Sequence, residues 1–258
     1  MPPHRFPFLD HPFPLAFAHR GGAASGLENT MTAFTQAVEM GYRYVETDVH
    51  ATRDGTLVAF HDRTLDRVTD LAGAIAQLTW EQVAGARIGT GETVPLLADI
   101  LHSWPELRLN IDVKSDAALG PLVDTVRRTG SIDRICVGSF SDARLTKVRE
   151  ALGPRLCTSL GPRGVLRLRT ASLVGRRRSA GATPGVPCAQ VPPRAAALPV
   201  VDERFVERAH RLGMQVHVWT IDDPAEMNRL LDLGVDGIMT DELATLREVY
   251  AARGWWAA

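Results

Sequence analysis

From Leu15 onward, short apolar runs alternate with amphipathic stretches of about 10 to 15 residues, the pattern of βα units that feed a parallel sheet. The first run is Leu15-Ala16-Phe17-Ala18. A helix follows from Thr32 to Met40, with apolar positions at Ala33, Phe34, Ala37 and Val38 and a stop at Gly41. Tyr42 to Val49 reads as the second strand, continued by Thr56 to Phe60 after the Asp54-Gly55 turn. Asp62 to Pro95 breaks the rhythm: its glycines at Gly73, Gly85, Gly89 and Gly91 argue against one long element, so it reads as an insertion or lid. The alternation resumes at Leu107 to Val113, Ile135 to Ser139, a weak run at Arg155 to Ser159, Ala189 to Val191, Gln215 to Thr220 and Gly237 to Thr240. Helices such as Asp202 to Leu212 and Asp223 to Leu233 lie between the later runs and end at Gly213 and Gly234. Taking the second strand and its continuation as one unit, the runs predict eight βα units. In a chain of 258 residues these point to a closed TIM (β/α)8 barrel with a small insertion after the second strand, the open doubly wound sheet being the rival. One barrel domain over residues 1–258 is expected, with the insertion at about 62–95.

The composition, 45% hydrophobic and 23% charged, excludes a disordered, collagen-like or disulfide-scaffold chain. A net charge of −1 leaves no global positive field to hold nucleic acid, and none is expected as a partner. No apolar run approaches the roughly 18 residues of a membrane span, so stable insertion is not expected and only peripheral membrane contact stays open. Residues 163–178 carry Arg163, Arg167, Arg169, Arg176, Arg177 and Arg178. A solvated helix face plus a loop accounts for them, and contact with phospholipid headgroups or nucleic acid is the sharper reading. Cys136, Cys157 and Cys188 are odd in number and widely spaced, with no zinc-like spacing. With a proline-broken N-terminus, they lead to the expectation of a cytoplasmic protein. Neither composition nor cysteine count bears on the oligomeric state.

Chemistry concentrates at the predicted strand ends. Residues two apart on a strand share a face, which places Glu46 with Asp48 and Asp112 with Lys114. For either pair alone, a buried salt bridge or a solvated rim suffices. Two such pairs at the strand C-termini favour a divalent cation held by oxygen ligands, with Asp112 as a third carboxylate. Lys114 is placed to pair with those acids or with an anionic oxygen of a substrate. His19-Arg20-Gly21-Gly22 and His61-Asp62 follow neighbouring strands. Arg20 can grip phosphate bidentately, and the two histidines suit proton transfer in displacement at phosphorus. The other six histidines, His50 among them, read as packing or hydrogen-bonding residues.

In order along the chain, these residues resemble the glycerophosphodiester phosphodiesterase family. The resemblance rests on His19-Arg20-Gly21, Glu28-Asn29-Thr30 with Ala33-Phe34, Glu46-x-Asp48-Val49-x-x-Thr52-x-Asp54-Gly55-x-x-Val58-x-x-His61-Asp62 and Arg67-x-Thr69. Asp112-x-Lys114, Ser139-Phe140, Trp219-Thr220 and Asp236-Gly237-Ile238-x-Thr240-Asp241 extend it over nearly the whole chain. It implies a TIM barrel, Ca²⁺ or Mg²⁺ at Glu46, Asp48 and Asp112, and His19 and His61 as general base and acid. Arg20 and Lys114 would hold phosphate oxygens. Glu28 would orient Arg20 or touch substrate, and Trp219 would wall the glycerol pocket, though each suits a structural role equally. The implied reaction releases sn-glycerol 3-phosphate and an alcohol: a neighbouring substrate hydroxyl attacks phosphorus, and water then opens the cyclic phosphate. A lysophospholipase D on the same site and a non-catalytic glycerophosphodiester binder are the alternatives. The chain departs from the family at Leu27, where Pro is usual, and at Asp112, where the longer Glu is common.

Overall fold

In a computed structural model, residues 6–173, 185–196 and 198–256 are described. Eight strands form the barrel: β1 (Leu15–Ala18), β2 (Tyr44–Ala51), β3 (Arg108–Val113), β4 (Ile135–Gly138), β5 (Cys157–Thr158), β6 (Cys188–Val191), β7 (Gln215–Val218) and β8 (Gly237–Thr240). All neighbours pair in parallel, in the order β5-β4-β3-β2-β1-β8-β7-β6. The two ends of that path meet through one parallel bridge, Ser159 with Cys188, and a hydrogen bond from the Leu160 amide to the Cys188 carbonyl at 2.9 Å. The barrel is nearly closed, and β5/β6 is its thinnest seam.

A helix follows each strand: α1 (Met31–Glu39), α2 (Leu97–Ser103), α3 (Leu119–Thr129), α4 (Asp142–Leu152), α5 (Pro162–Leu173), α6 (Glu203–Arg211), α7 (Pro224–Asp232) and α8 (Leu243–Ala252). Their starts are chemically marked. The side chains of Thr30, Ser141, Asp202 and Asp223 accept backbone N–H groups at the first turns of α1, α4, α6 and α7, each cap worth about 1 kcal/mol.

The period of two along each strand divides the core. Val45, Val49, Leu109, Ile111, Val137, Val191 and Val216 point outward against the helices. Leu15, Phe17, Tyr44, Cys136, Cys157, Cys188 and Met239 form a separate inner cluster. Polar side chains of the same parity continue that inner face toward the strand C-termini, among them His19, Glu46, Asp48 and Asp112.

Three stretches depart from the linear pattern. Leu57–Ala59 pairs antiparallel with β2, because the chain reverses at Gly55, whose φ is +83°. The insertion carries a helix at Trp80–Ala84 and a two-stranded hairpin, Arg87–Ile88 with Glu92–Thr93, over its own small core of Val58, Phe60, Leu65, Ile75, Val83 and Ile88. The proline-broken N-terminus forms a helical turn at Pro7–Leu9 that buries Phe6, Phe8 and Leu9 against Phe17 and Tyr44, plugging the end of the barrel away from the strand C-termini. At the other end of the chain, Trp255 and Trp256 pack on Phe13, Tyr42 and Tyr250. Among the described residues, no helix is long and apolar enough to cross a membrane.

Candidate active site

The mouth at the strand C-termini holds a cavity of about 720 Å³, lined on one side by His19, Arg20, Glu46, Asp48, His61, Asp112 and Lys114. Seven of the nine residues singled out from sequence therefore converge on it, and Trp219 lines it as well. Glu28, the ninth, touches the Arg20 guanidinium instead, at 3.1 Å.

The turn after β1 is held in an unusual conformation. Arg20 adopts φ +52°, and Gly21 and Gly22 follow at +81° and +100°. A Cβ on Gly21 would stand 2.9 Å from both Ala33 and Phe34, so this sharp turn needs glycine there. The turn brings the Arg20 amide to Glu46 Oε2 at 3.2 Å and the Arg20 side-chain Nε to Asp48 Oδ2 at 3.4 Å.

Each histidine is anchored through Nδ1 by a carboxylate. His19 meets Asp241 at 2.7 Å, and His61 meets Asp62 at 2.6 Å. With Nδ1–H donating to the carboxylate, Nε2 of each neutral ring is left to exchange a proton. Burial opposes the charged form of His19, but the hydrogen bond to Asp241 and the nearby Glu46 outweigh it and raise its pKa. His50, two residues beyond Asp48 on the same face of β2, donates Nε2–H to the His61 carbonyl at 3.1 Å. Arg67 of the insertion bonds both Asp62 and Glu28. Burial raises the Glu28 pKa, yet Arg67 and then Arg20 outweigh it and bring it below the ordinary value.

The acids occupy unequal environments. Glu46 is pushed up to about 8, first by its burial and then by Asp48. Burial also pushes Asp48 upward, but Lys114 and Arg20 overcome this and hold its pKa low. The Lys114 ammonium lies 2.7 Å from both Asp48 Oδ1 and Asp112 Oδ2. Asn29 donates to Asp48 Oδ2 at 3.2 Å and accepts from Thr47 at 2.7 Å. Asp112 Oδ1 is buried and accepts no hydrogen bond. Glu46, Asp48 and Asp112 are thus hard oxygen donors facing one space, and the unpartnered oxygen and the elevated Glu46 both call for more positive charge. Lys114 neutralises the adjoining oxygens, Asp48 Oδ1 and Asp112 Oδ2. Among the described residues, the only three His, Cys, Asp or Glu side chains with ligand atoms within 4.8 Å of one another are Cys136, Cys157 and Cys188; the three carboxylates are spread more widely.

Asp241, Asp62 and Arg67 were not singled out as site residues from sequence. The signal for Asp241 was its place directly after the last strand, the position that drew attention to His19 after the first. On the basic segment, Arg163 and Arg167 are exposed on α5 and Arg169 pairs with Asp202 at 2.7 Å. Arg176, Arg177 and Arg178 lie outside the described residues.

A parallel eight-stranded barrel with paired histidines, acids and cations gathered at its strand C-termini defines a barrel enzyme whose mouth suits an anionic substrate. The model of the Glycerophosphoryl diester phosphodiesterase family matches residues 19–245, and the chain belongs to this family. It is 41% identical to the Probable glycerophosphodiester phosphodiesterase 2 of Mycobacterium tuberculosis, over 96% of this chain and 95% of that one. It is 26% identical to a lysophospholipase D of Rattus norvegicus, over 90% of this chain and 84% of that one. The fold matches that of an Oleispira antarctica phosphodiesterase solved with its product sn-glycerol-3-phosphate, with a TM-score of 0.77 at 21% identity, covering 93% of this chain and 97% of that one. The protein is a phosphodiesterase.

Proposed function

We propose that the protein hydrolyses glycerophosphodiesters to sn-glycerol 3-phosphate and an alcohol, with His19 as general base and His61 as general acid. The observation that carries this is the pair of histidines on one cavity, each anchored at Nδ1 by its own carboxylate. Arg20 and Lys114 are the cations available to phosphate oxygens. His19 Nε2 accepts the proton of the substrate hydroxyl that neighbours the phosphodiester, and the oxygen attacks phosphorus. His61 protonates the departing alcohol, and the roles reverse as water opens the cyclic phosphate. Asp241 and Asp62 hold the rings in the tautomer this exchange needs.

Glu46, Asp48 and Asp112 are the residues to hold a divalent cation, Ca²⁺ or Mg²⁺. When bound, the ion neutralises phosphate charge and orients the attacking hydroxyl. Lys114, which pairs with Asp48 and Asp112 in this structure, would share those acids with the ion or serve a phosphate oxygen instead. The test is release of glycerol 3-phosphate from glycerophosphocholine and glycerophosphoethanolamine by EDTA-stripped protein, before and after Ca²⁺, Mg²⁺ or Mn²⁺ is added. Release only with metal is expected. No release with any ion, from folded protein, overturns this reading in favour of a non-catalytic binder. Three free, buried thiols support a reducing, cytoplasmic setting.

A second reading, lysophospholipase D activity at the same site, is favoured by the opposite wall of the cavity. Phe140, Leu160, Val165, Leu166, Leu198 and Trp219 line it, and Phe140, Leu166 and Leu198 are 68%, 64% and 73% exposed. A glycerol with a small polar headgroup leaves such a surface wet, whereas an acyl chain covers it. Each buried methylene contributes about 0.8 kcal/mol, roughly a fourfold gain in affinity. KM for lysophospholipids below their micellar threshold is therefore expected to fall as the acyl chain lengthens, and Leu198→Asp to flatten the trend. A KM independent of chain length removes the lipid reading and leaves the soluble diesters.

A further inference from the structure

At the plugged end of the barrel, away from the mouth, three cysteines from three successive strands of the chain come together. Cys136 of β4 is the register partner of Cys157 on β5, and Cys188 of β6 lies across the seam. Their sulfurs lie within 4.8 Å of one another, with Cys136 Sγ and Cys188 Sγ at 4.0 Å. An ion about 2.3 Å from three coplanar sulfurs would hold those sulfurs about 4.0 Å apart. The triangle therefore accepts a trigonal ion with sub-ångström movement of the side chains, while a disulfide would require one pair to close by roughly 2 Å.

The surroundings restrict the ion. Phe8, Leu15, Phe17, Tyr44 and Met239 pack around the sulfurs, and all three cysteines are buried. An apolar pocket of thiols without carboxylate donors disfavours Ca²⁺ and Mg²⁺ and suits soft ions that tolerate three ligands. Positive charge is at hand: the Arg149 guanidinium donates to Thr158 Oγ1 at 2.8 Å and to the Ser159 carbonyl at 2.9 Å, immediately beyond Cys157.

We propose that Cys136, Cys157 and Cys188 form a three-sulfur site for one thiophilic d¹⁰ cation, zinc(II) or copper(I), that clamps the β5/β6 seam. Each S–H gives its proton to solvent as a metal–sulfur bond forms, and no atom changes oxidation state. Among the described residues, the backbone pairing of the seam is one bridge and one adjoining hydrogen bond, joined by the Cys188 thiol donating to the Thr158 carbonyl at 3.7 Å, so a clamp there resists the opening that unrolls the barrel.

The test uses the reduced, metal-stripped full chain, unfolded in urea and refolded with one equivalent of cadmium(II) as a spectroscopic probe, then with zinc(II) or copper(I) in parallel arms. One cadmium per chain, a thiolate-to-metal charge-transfer band, three sulfur neighbours by X-ray absorption and a raised melting temperature are expected. His19→Ala should keep the band, because the residues at the mouth contribute no thiolate. Cys136→Val should abolish the band and weaken cadmium binding on the order of 100-fold. The larger melting shift between the zinc and copper arms identifies the native ion. Folded wild-type protein with no charge-transfer band at stoichiometric cadmium overturns the proposal and leaves the three thiols as packing groups. That outcome is read on the wild-type chain, whether or not the cysteine variant folds.

Discussion

At the level of single residues, the mouth pairs His19 with Asp241 and His61 with Asp62, and under the proposed roles this sets what substitution should do. His19→Ala and His61→Ala are expected to lower kcat by on the order of 10²- to 10⁴-fold while circular dichroism and melting stay near wild type. Activity within a few-fold of wild type in either variant would refute the assigned roles. Asp241→Asn should cost on the order of 10- to 100-fold, mostly in kcat, and should lower the pH at which His19 titrates by NMR, since Asp241 is the main group raising it. Asp62 shows the pH dependence of stability. The hydrogen bond from Arg67 and then that from His61 hold its pKa at about 2, below the ordinary 3.8. Because the folded value is depressed, the stabilisation is complete above 3.8 and is lost as the pH falls through about 2. In acid urea titrations, Asp62→Asn should therefore remove part of the stability loss over that window and leave the neutral-pH slope unchanged.

Individual elements position these groups through backbone constraints. The β1–α1 turn places the Arg20 amide on Glu46 only because Gly21 and Gly22 tolerate positive φ with α1 and Leu243 packed against them. Gly21→Ala combines a left-handed conformation with a Cβ only 2.9 Å from Ala33 and Phe34. It should destabilise by about 1 to 3 kcal/mol in urea melts and reduce activity as well. Stability loss with full activity would mean that the turn can shift without moving Arg20. The insertion reaches the site through Asp62, which anchors His61, and through Arg67, which ties Asp62 to Glu28 and so connects the two histidine-bearing ends. This agrees with the sequence reading of that segment as an insertion, and gives it a positioning role that its glycine-rich pattern did not disclose.

For the molecule as a whole, the barrel separates function from stability along its axis. The strand C-termini carry charge, and the opposite end is apolar and sealed by Pro7–Leu9. Phe8 is nearly inaccessible, packs tilted against Phe17 and edge-on to Tyr44, and its carbonyl accepts the Tyr44 hydroxyl at 2.9 Å. Phe8→Ala should cost about 3 to 5 kcal/mol by opening a cavity under the inner cluster. Calorimetry should show a lower melting temperature, with kcat of the remaining folded enzyme near wild type. An unchanged melting temperature would mean that the N-terminal turn is not part of the folding unit.

The linear order of residues is enough to dictate the βα alternation and the parity that puts Glu46, Asp48 and Asp112 on one face. It also dictates the placement of His19 and His61 at strand ends. These features follow from the period of two along a strand and from turn chemistry, which are local properties. What meets across strands distant in the chain depends on how the barrel closes. Asp241 reaches His19 because β8 pairs with β1, and Lys114 settles between two aspartates because β3 pairs with β2. The three cysteines, which no spacing along the chain connects, become neighbours because β4, β5 and β6 curl toward closure. The N-terminal plug and the packed Trp255-Trp256 pair belong to the same class. Their partners are supplied by the closed barrel, and a linear hydrophobic pattern does not encode which surface an apolar segment will find.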